Sequence, residues 1–326
     1  MNLPCAVHQA LPVALAADRF QPSSRVQVLS MFTGLSAFPL TPLRDGAVDE
    51  AAFARLLERL AAAGVDGICA LGSTGNYAYL DLAERKRVAR LAVRHAGHVP
   101  VMVGIGALRT RDVLELADDA QRAGARAVLL SPMSYQKLSD EEVFGLYQTV
   151  TQALSVPLVV YDNPGTTHFE FSDALHGRIA QLPQVASIKI PPVSPDPASA
   201  AARIDRLRAL VPAHVSIGIS GDAVAATALL AGCTVWYSVI GGLFPVTALE
   251  ITRAAQSADA ALAHRLSGRL QPLWALFRQH GSLRVVATAA ELLGHAPAPC
   301  LPPPLRALQG EDRQRLAVLL AQLQLD

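Results

Sequence analysis

The residue in this chain most able to do covalent chemistry is a lysine in an apolar setting. The 326 residues include 25 arginines but only three lysines, Lys86, Lys137 and Lys189. Lys86 lies in the charged helical run Glu84-Arg85-Lys86-Arg87, and Lys137 in the polar stretch Gln136-Lys137-Leu138-Ser139-Asp140. Lys189 stands in Ala-Ser-Ile-Lys-Ile-Pro-Pro at 186–192, where an aliphatic residue would be the norm. A guanidinium stays protonated and cannot act as an amine nucleophile. A lysine can, once burial lowers its pKa and frees the neutral amine. Such an amine in an apolar pocket attacks a ketone and forms an imine. On position alone, a lysine paired with a carboxylate or snorkelling to a strand end is the alternative.

Three other stretches bear on it. Gly72-Ser73-Thr74-Gly75-Asn76 brackets two hydroxyls with two glycines. Such a turn presents backbone N–H groups and hydroxyl donors to a carboxylate, although Ser/Thr turns are also common as plain connectors. Tyr161-Asp162-Asn163-Pro164-Gly165-Thr166-Thr167 places a phenol where it can pass a proton to and from a carbinolamine, or merely anchor the loop; Asn163-Pro164-Gly165 reads as a tight turn. In Ile219-Ser220-Gly221-Asp222 the glycine allows close backbone approach to a ligand, and Asp222 suits an N-cap.

These stretches must be held by regular elements. From residue 31 on, β-rich runs alternate with helical ones. The runs are 32–38, 67–71, 99–105, 127–130, 156–161, 185–190, 215–219 and 234–239. Between them, 49–63 carries Phe53, Leu56, Leu57 and Leu60 at helical spacing and ends at Gly64, and 110–123 ends likewise at Gly124. Helices are also read at 81–95, from 139 with Asp140, Glu141 and Glu142 in the first turn, and at 172–181, 197–210 and 222–230. A repeat of roughly 25–30 residues predicts a (β/α)₈ barrel, whose functional residues gather at the C-terminal ends of the strands. An open doubly wound sheet fits less well: no G-x-G-x-x-G follows the first run, and no G-x-x-x-x-G-K-[S/T] occurs. After 256 the strands stop. Helices are read at 258–280, 282–293 and 304–325, with a proline-rich link at 296–304. The expected division is an N-terminal extension at 1–30, a barrel at 31–256 and a helical region at 257–326, which caps the barrel or serves oligomerisation.

Composition narrows the function classes. Hydrophobic residues make up 51% and charged residues 17%, with a net charge of +1. That balance describes a packed globular protein and gives no basic surface for nucleic acid. No apolar run approaches the roughly 18 residues of a membrane span. Cys5, Cys69, Cys233 and Cys300 form no C-x-x-C pair and read as reduced structural thiols of a cytoplasmic protein. Residues 1–30 have scattered prolines and a short apolar run at 11–17 with no basic segment ahead of it. They read as a poorly ordered extension rather than a signal peptide, and Met31 as an alternative start.

Taken together, G-S-T-G at 72–75, Y-x-N-P at 161–164, I-K at 188–189 and S-G-D at 220–222 resemble the dihydrodipicolinate synthase / N-acetylneuraminate lyase family of Schiff-base aldolases, in order and in spacing. The resemblance runs from about residue 32 to about residue 252 and, less distinctly, through the helical tail. It implies a lyase acting on pyruvate or another 2-oxo acid. Lys189 would form the imine. Ser73 and Thr74, within the turn bounded by Gly72 and Gly75, would hold the carboxylate, and Tyr161, bonded to Ser73, would shuttle the proton. The protonated imine is itself the electron sink, so neither metal nor cofactor is expected. The resemblance further implies a homo-oligomer, a tetramer or dimer. The family often takes a second tyrosine from a neighbouring subunit, in the loop after the fourth strand. Here Met133 and Ser134 occupy the expected aromatic positions, leaving Tyr135 to substitute. Thr166 stands where the synthases have an arginine for the second substrate's carboxylate. Asn76 replaces a glutamate, Pro191-Pro192-Val193 follow the lysine, and Tyr237 is bulky where a small aliphatic is usual. With Gly221, these residues would shape a changed acceptor side. Alternatives are a 2-oxo sugar-acid dehydratase using the same lysine, dihydrodipicolinate synthase activity proper, a catalytically impaired 2-oxo-acid-binding barrel, and a metal-dependent class II aldolase.

Overall fold

The computed structural model describes residues 31–326; the extension expected at 1–30, with Cys5, lies outside them. Eight parallel strands close into a barrel: β1 (Gly34–Ala37), β2 (Gly67–Ala70), β3 (Val101–Gly104), β4 (Ala127–Leu130), β5 (Leu158–Tyr161), β6 (Val185–Ile190), β7 (Ser216–Ile219) and β8 (Val235–Ser238). β8 pairs with β1 and completes the ring. The (β/α)₈ expectation holds. One small element was not foreseen. Leu43–Arg44 pairs antiparallel with Ala47–Val48 through Asp45-Gly46, both at positive φ, the backbone of a tight two-residue hairpin turn.

Helices connect the strands: α1 (Glu50–Ala63), α2 (Leu82–His95), α3 (Thr110–Ala123), α4 (Asp140–Gln152), α5 (Pro164–Thr167), α6 (Asp173–Ala180), α7 (Pro197–Arg208), α8 (Ala225–Leu230) and α9 (Pro245–Gln256). α1 shows why they form. Phe53, Leu56, Leu57 and Leu60 fall on one face and are all buried, each contributing about 1.5–3 kcal/mol against exposure. Asp49 caps its first turn by accepting from the Ala52 amide, and Gly64 ends it in the left-handed region. Asp81 with Glu84, and Ser139 with Glu142, form capping boxes on α2 and α4.

Alternation along the strands separates two apolar cores. Ile188 and Ile190 pack outward with the helices, while Cys69, Met102, Leu129, Val159, Tyr161 and Tyr237 fill the barrel interior with Phe38. Lys189 lies between the two isoleucines and so points inward.

Four helices follow the barrel: α10 (Ala260–Arg269), α11 (Gln271–His280), α12 (Ser282–Leu292) and α13 (Gly310–Leu323). The single helix read over 258–280 is broken at Leu270. Pro272 supplies no N–H and a fixed φ, which suits the start of a new helix and not the interior of a long one. The last helix begins at Gly310 rather than 304, after the proline run. The tail is fastened to the barrel by Asp326, whose carboxylate accepts from the Val246 and Thr247 amides at the start of α9. Val286 and Ala290 of α12 line a small gap with Phe38 and Thr74, so the tail also reaches the barrel mouth. Among the described residues, no helix is long and apolar enough to cross a membrane.

Candidate active site

Lys189 sits inside the barrel near the C-terminal end of β6, with Tyr161 as its register partner on β5 and Gly218 as its partner on β7. Its side chain is 3% exposed. The Nζ atom lies 3.8 Å from the Phe38 ring centroid, 4.0 Å from that of Tyr161 and 5.8 Å from that of Tyr237. No carboxylate is paired with it among the described residues. Two effects compete for its charge. The ring faces favour a cation by about 0.5–2 kcal/mol. Removing an ammonium from water costs several kcal/mol, and this larger effect wins. Burial pulls the Lys189 pKa down to about 7 despite the opposing fields of Cys69 and Asp222. A nucleophilic amine is thereby available near neutrality.

Tyr161 ends β5 with its ring inside the barrel and its hydroxyl at the mouth. The Ser73 hydroxyl is 3.4 Å away, and Asn163 Nδ2 donates to the phenol oxygen at 2.8 Å. Burial pushes Tyr161 up to about 12, so the phenol is neutral at rest. Ser73 and Thr74 lie in a turn closed by the amides of Gly75 and Asn76, which donate to the carbonyls of Gly72 and Ser73. A Cβ on Gly72 would stand 2.6 Å from the Phe38 ring, and one on Gly75 would stand 2.9 Å from the Leu71 nitrogen. Those two glycines are therefore required by packing. Asn76 takes a left-handed backbone and donates to the Thr41 carbonyl.

The remaining expected residues are placed differently. Asn163-Pro164-Gly165 does not end in a tight turn: Pro164 starts the short α5, and Thr166 on it is exposed, bonded to Asn163 Nδ2. Thr166 thus reaches Tyr161 only through Asn163. Gly221 has φ +101°, and a Cβ there would be 2.6 Å from Pro192 Cγ. Its close approach is to the chain after Lys189. Asp222 does not cap its own helix. Its buried carboxylate accepts from the Trp236 indole, the Ser238 hydroxyl and the Val239 and Ile240 amides, pinning the end of β8 beside β7. Tyr237 is anchored on the side of Lys189 away from the mouth. Its hydroxyl is 2.6 Å from Ser187 Oγ, which in turn meets Ser216, one layer below Lys189. It forms the floor of the site. Tyr135 is 91% exposed and is not brought to Lys189 within the chain.

Several residues that the sequence reading passed over are part of the arrangement. Phe38 follows Ser36 on the inward face of β1, and strand alternation carries that signal. Asn163 belongs to the Y-x-N-P motif and to the expected turn, but neither gives its side chain a role. Tyr77 and Ser131 meet at 3.0 Å between their hydroxyls, on segments 54 residues apart that no local pattern connects. Two surface clefts line the helical tail, around Pro272 and Gln314 and along 298–310, and contain none of these residues.

The chain has clear relatives. The sequence model of the Dihydrodipicolinate synthetase family matches residues 31–323. The chain is 34% identical over 238 residues to the 4-hydroxy-tetrahydrodipicolinate synthase of Methylococcus capsulatus, covering 73% of this chain and 79% of that protein. It is 33% identical over 259 residues to the enzyme of the same name from Nitrosomonas europaea, covering 79% and 85%. The crystal structure of dihydrodipicolinate synthase from Agrobacterium tumefaciens superposes with a TM-score of 0.87 at 44% identity, over 91% of this chain and 99% of that one. A putative dihydrodipicolinate synthetase from Pseudomonas aeruginosa gives 0.82 at 31% identity, over 89% and 99%.

Proposed function

This chain belongs to the dihydrodipicolinate synthetase family and is a class I, Schiff-base lyase; we propose that its substrate is pyruvate or a larger 2-oxo acid, and that Lys189 is the imine-forming residue. The observation that carries this is the neutral-leaning amine of Lys189, sealed among Phe38, Tyr161 and Tyr237 at the register position opposite Tyr161, whose phenol meets Ser73 of the 72–75 turn. In this reading the Ser73 and Thr74 hydroxyls and amides hold the substrate carboxylate. The Lys189 amine adds to the keto carbon, and a proton moves from nitrogen to oxygen to give the carbinolamine. The hydroxyl leaves as water after taking one further proton, which Tyr161 supplies. The resulting iminium accepts the electron pair of the bond broken next to it, so no metal step is needed.

The acceptor side favours neutral, hydroxylated groups. Thr166 and Asn163 offer a hydroxyl and an amide where a carboxylate-bearing aldehyde would call for a guanidinium. Cleavage or dehydration of a 2-oxo sugar acid therefore fits this mouth better than the condensation named for the curated relatives. We place the enzyme in the cytoplasm, in line with the unpaired buried thiols Cys69, Cys233 and Cys300, and read it as a homo-oligomer. Borohydride reduction in the presence of pyruvate should fix one adduct per chain on Lys189. An adduct elsewhere, or none with any of several 2-oxo acids, would remove the proposal. A panel comparing retro-aldol cleavage, water loss and aldehyde condensation would then rank the substrates.

A further inference from the structure

We propose that Tyr77 is the second tyrosine of the proton relay, reached through Ser131 of the same chain. The inference rests on the reading of Lys189 and Tyr161 above.

Tyr161 must lend a proton and take it back. Carbinolamine dehydration consumes one proton and leaves Tyr161 as a phenolate. Formation of the enamine then breaks a C3–H bond. Its electron pair becomes the C2–C3 double bond, the C=N pair returns to nitrogen, and the released proton restores the phenol. The cycle balances, but a negative charge must be held between its halves in a site where burial opposes it.

The chain contains a place to share that charge. Tyr77 follows the 72–76 turn directly, is 8% exposed, and has its hydroxyl 3.0 Å from Ser131 Oγ. Ser131 continues β4 by one residue. Leu129 and Val159 are register partners, and both face the barrel interior. Two residues further on, Ser131 and Tyr161 lead the same face of the two neighbouring strands. Two hydroxyl pairs, Ser73 with Tyr161 and Ser131 with Tyr77, thus stand at the ends of neighbouring segments, and Tyr77 lies within the field of Tyr161.

Arg85 supplies the second observation. Its side chain is 4% exposed, with the guanidinium 5.2 Å from the Tyr77 ring centre. Nη2 donates to the Gly104 carbonyl, while Nε has no hydrogen-bond partner. A buried cation so incompletely paired is costly to folding. Burial raises the Tyr77 pKa; the Ser131 bond and the Arg85 field work against that rise, and a charge on Tyr161 adds to it, so the two phenols lie within each other's field. Gly106 keeps the space open: a Cβ there would stand 2.9 Å from Ser131 Oγ and 3.5 Å from Tyr77 Cε2. The segment that carries the family's inter-subunit tyrosine has Met133 and Ser134 here, and Tyr135 points into solvent.

The test is exchange of pyruvate methyl protons for deuterium in D₂O, followed by NMR, with borohydride adduct formation measured alongside. Tyr77→Phe should still give the full adduct on Lys189, showing a folded site, while methyl exchange slows at least about tenfold at an unchanged KM for pyruvate. Ser131→Ala should act in the same direction. Wild-type exchange in both variants would overturn the proposal, as would slowing in Tyr135→Phe alone. Absence of any adduct in the wild-type chain would instead bring down the Lys189 reading, and this inference with it.

Discussion

Asn163 Nδ2 donates to the phenol oxygen of Tyr161 at 2.8 Å, from a side chain whose amide nitrogen also meets Thr166 Oγ1. An amide nitrogen can only donate, so the phenol oxygen accepts from it and keeps its single proton for another partner. The contacts available are Ser73 and whatever occupies the mouth. Asn163 therefore sets the direction in which Tyr161 offers its proton. Asn163→Ala removes a bond of about 0.5–1.5 kcal/mol. The expected outcome is a fall in kcat of up to about tenfold with little change in KM. A rise in KM with kcat intact would assign Asn163 to substrate binding instead.

Lys189 should impose a pH dependence of definite sign. Burial holds its pKa at about 7, below the ordinary 10.5. Only the neutral amine adds to a ketone, so the rate of adduct formation should rise through pH 7 and level off above it. Stability follows the same shift. Between about 7 and 10.5 the unfolded chain binds one proton more than the folded one, so stability rises with pH across that window, and the full penalty is present below it. Lys189→Met, close in volume, should abolish the adduct and raise Tm at pH 7 by more than at pH 10. A variant less stable than wild type at pH 7 would show that the amine is held by contacts outweighing its desolvation.

The barrel and the inward direction of Lys189 were legible because both follow from periodicity. Alternating apolar runs fixed the strands, and an inward lysine between outward isoleucines was readable from the twofold repeat alone. The break before Pro272 was in the sequence too, and was overridden by the helical pattern on either side of it. Other features were beyond local reading. Asp222 bonds residues 14 to 18 positions ahead on the next strand, and Tyr77 meets Ser131 across two βα units. The direction of Tyr237 depends on the β7–β8 register, which puts a glycine beneath its ring. Such pairings are set by barrel closure, and no spacing within one segment encodes them.

That glycine offers a packing test. A Cβ on Gly218 would fall 2.4 Å from Tyr237 Cε2 and from Val235 Cγ1. Gly218→Ala should therefore cost about 1–3 kcal/mol by overpacking and tilt the Tyr237 ring, whose centre lies 5.8 Å from Lys189 Nζ. Adding Tyr237→Leu should recover part of the loss, since it removes the nearest obstacle; such coupling is expected of residues in contact. Urea unfolding of the single and double variants measures it. Additive effects would mean that the ring and the glycine do not share this space.

Asp162 carries the last prediction. Its amide donates to the Lys189 carbonyl at 3.1 Å, while its carboxyl Oδ2 lies 3.4 Å from His176 Nε2 on α6. The two have the composition of an ion pair. Burial dominates both, however, raising Asp162 to about 7 and lowering His176 to about 4, so the neutral forms prevail between these values. Neither ring nitrogen of His176 has a well-aligned hydrogen-bond partner, and its ring stacks on Phe171 at 4.9 Å, as suits an uncharged imidazole. The two groups bias stability in opposite directions. With its folded pKa raised above 3.8, Asp162 makes stability fall as pH rises from about 4 to 7. With its folded pKa depressed below 6.5, His176 makes stability fall as pH drops from 6.5 to 4. Over the shared window the slopes offset one another. Asp162→Asn keeps the shape and removes one of them. The variant should be more stable than wild type at pH 8, nearly equal near pH 4, and should gain stability steadily from pH 4 to 6.5, where wild type is flat. Thermal melts at four pH values suffice to see it. If Asp162→Asn were instead destabilised at pH 8, the carboxylate would be ionised and held by His176 or by the field of Arg203 on α7, and the β5–α6 contact would be electrostatic after all.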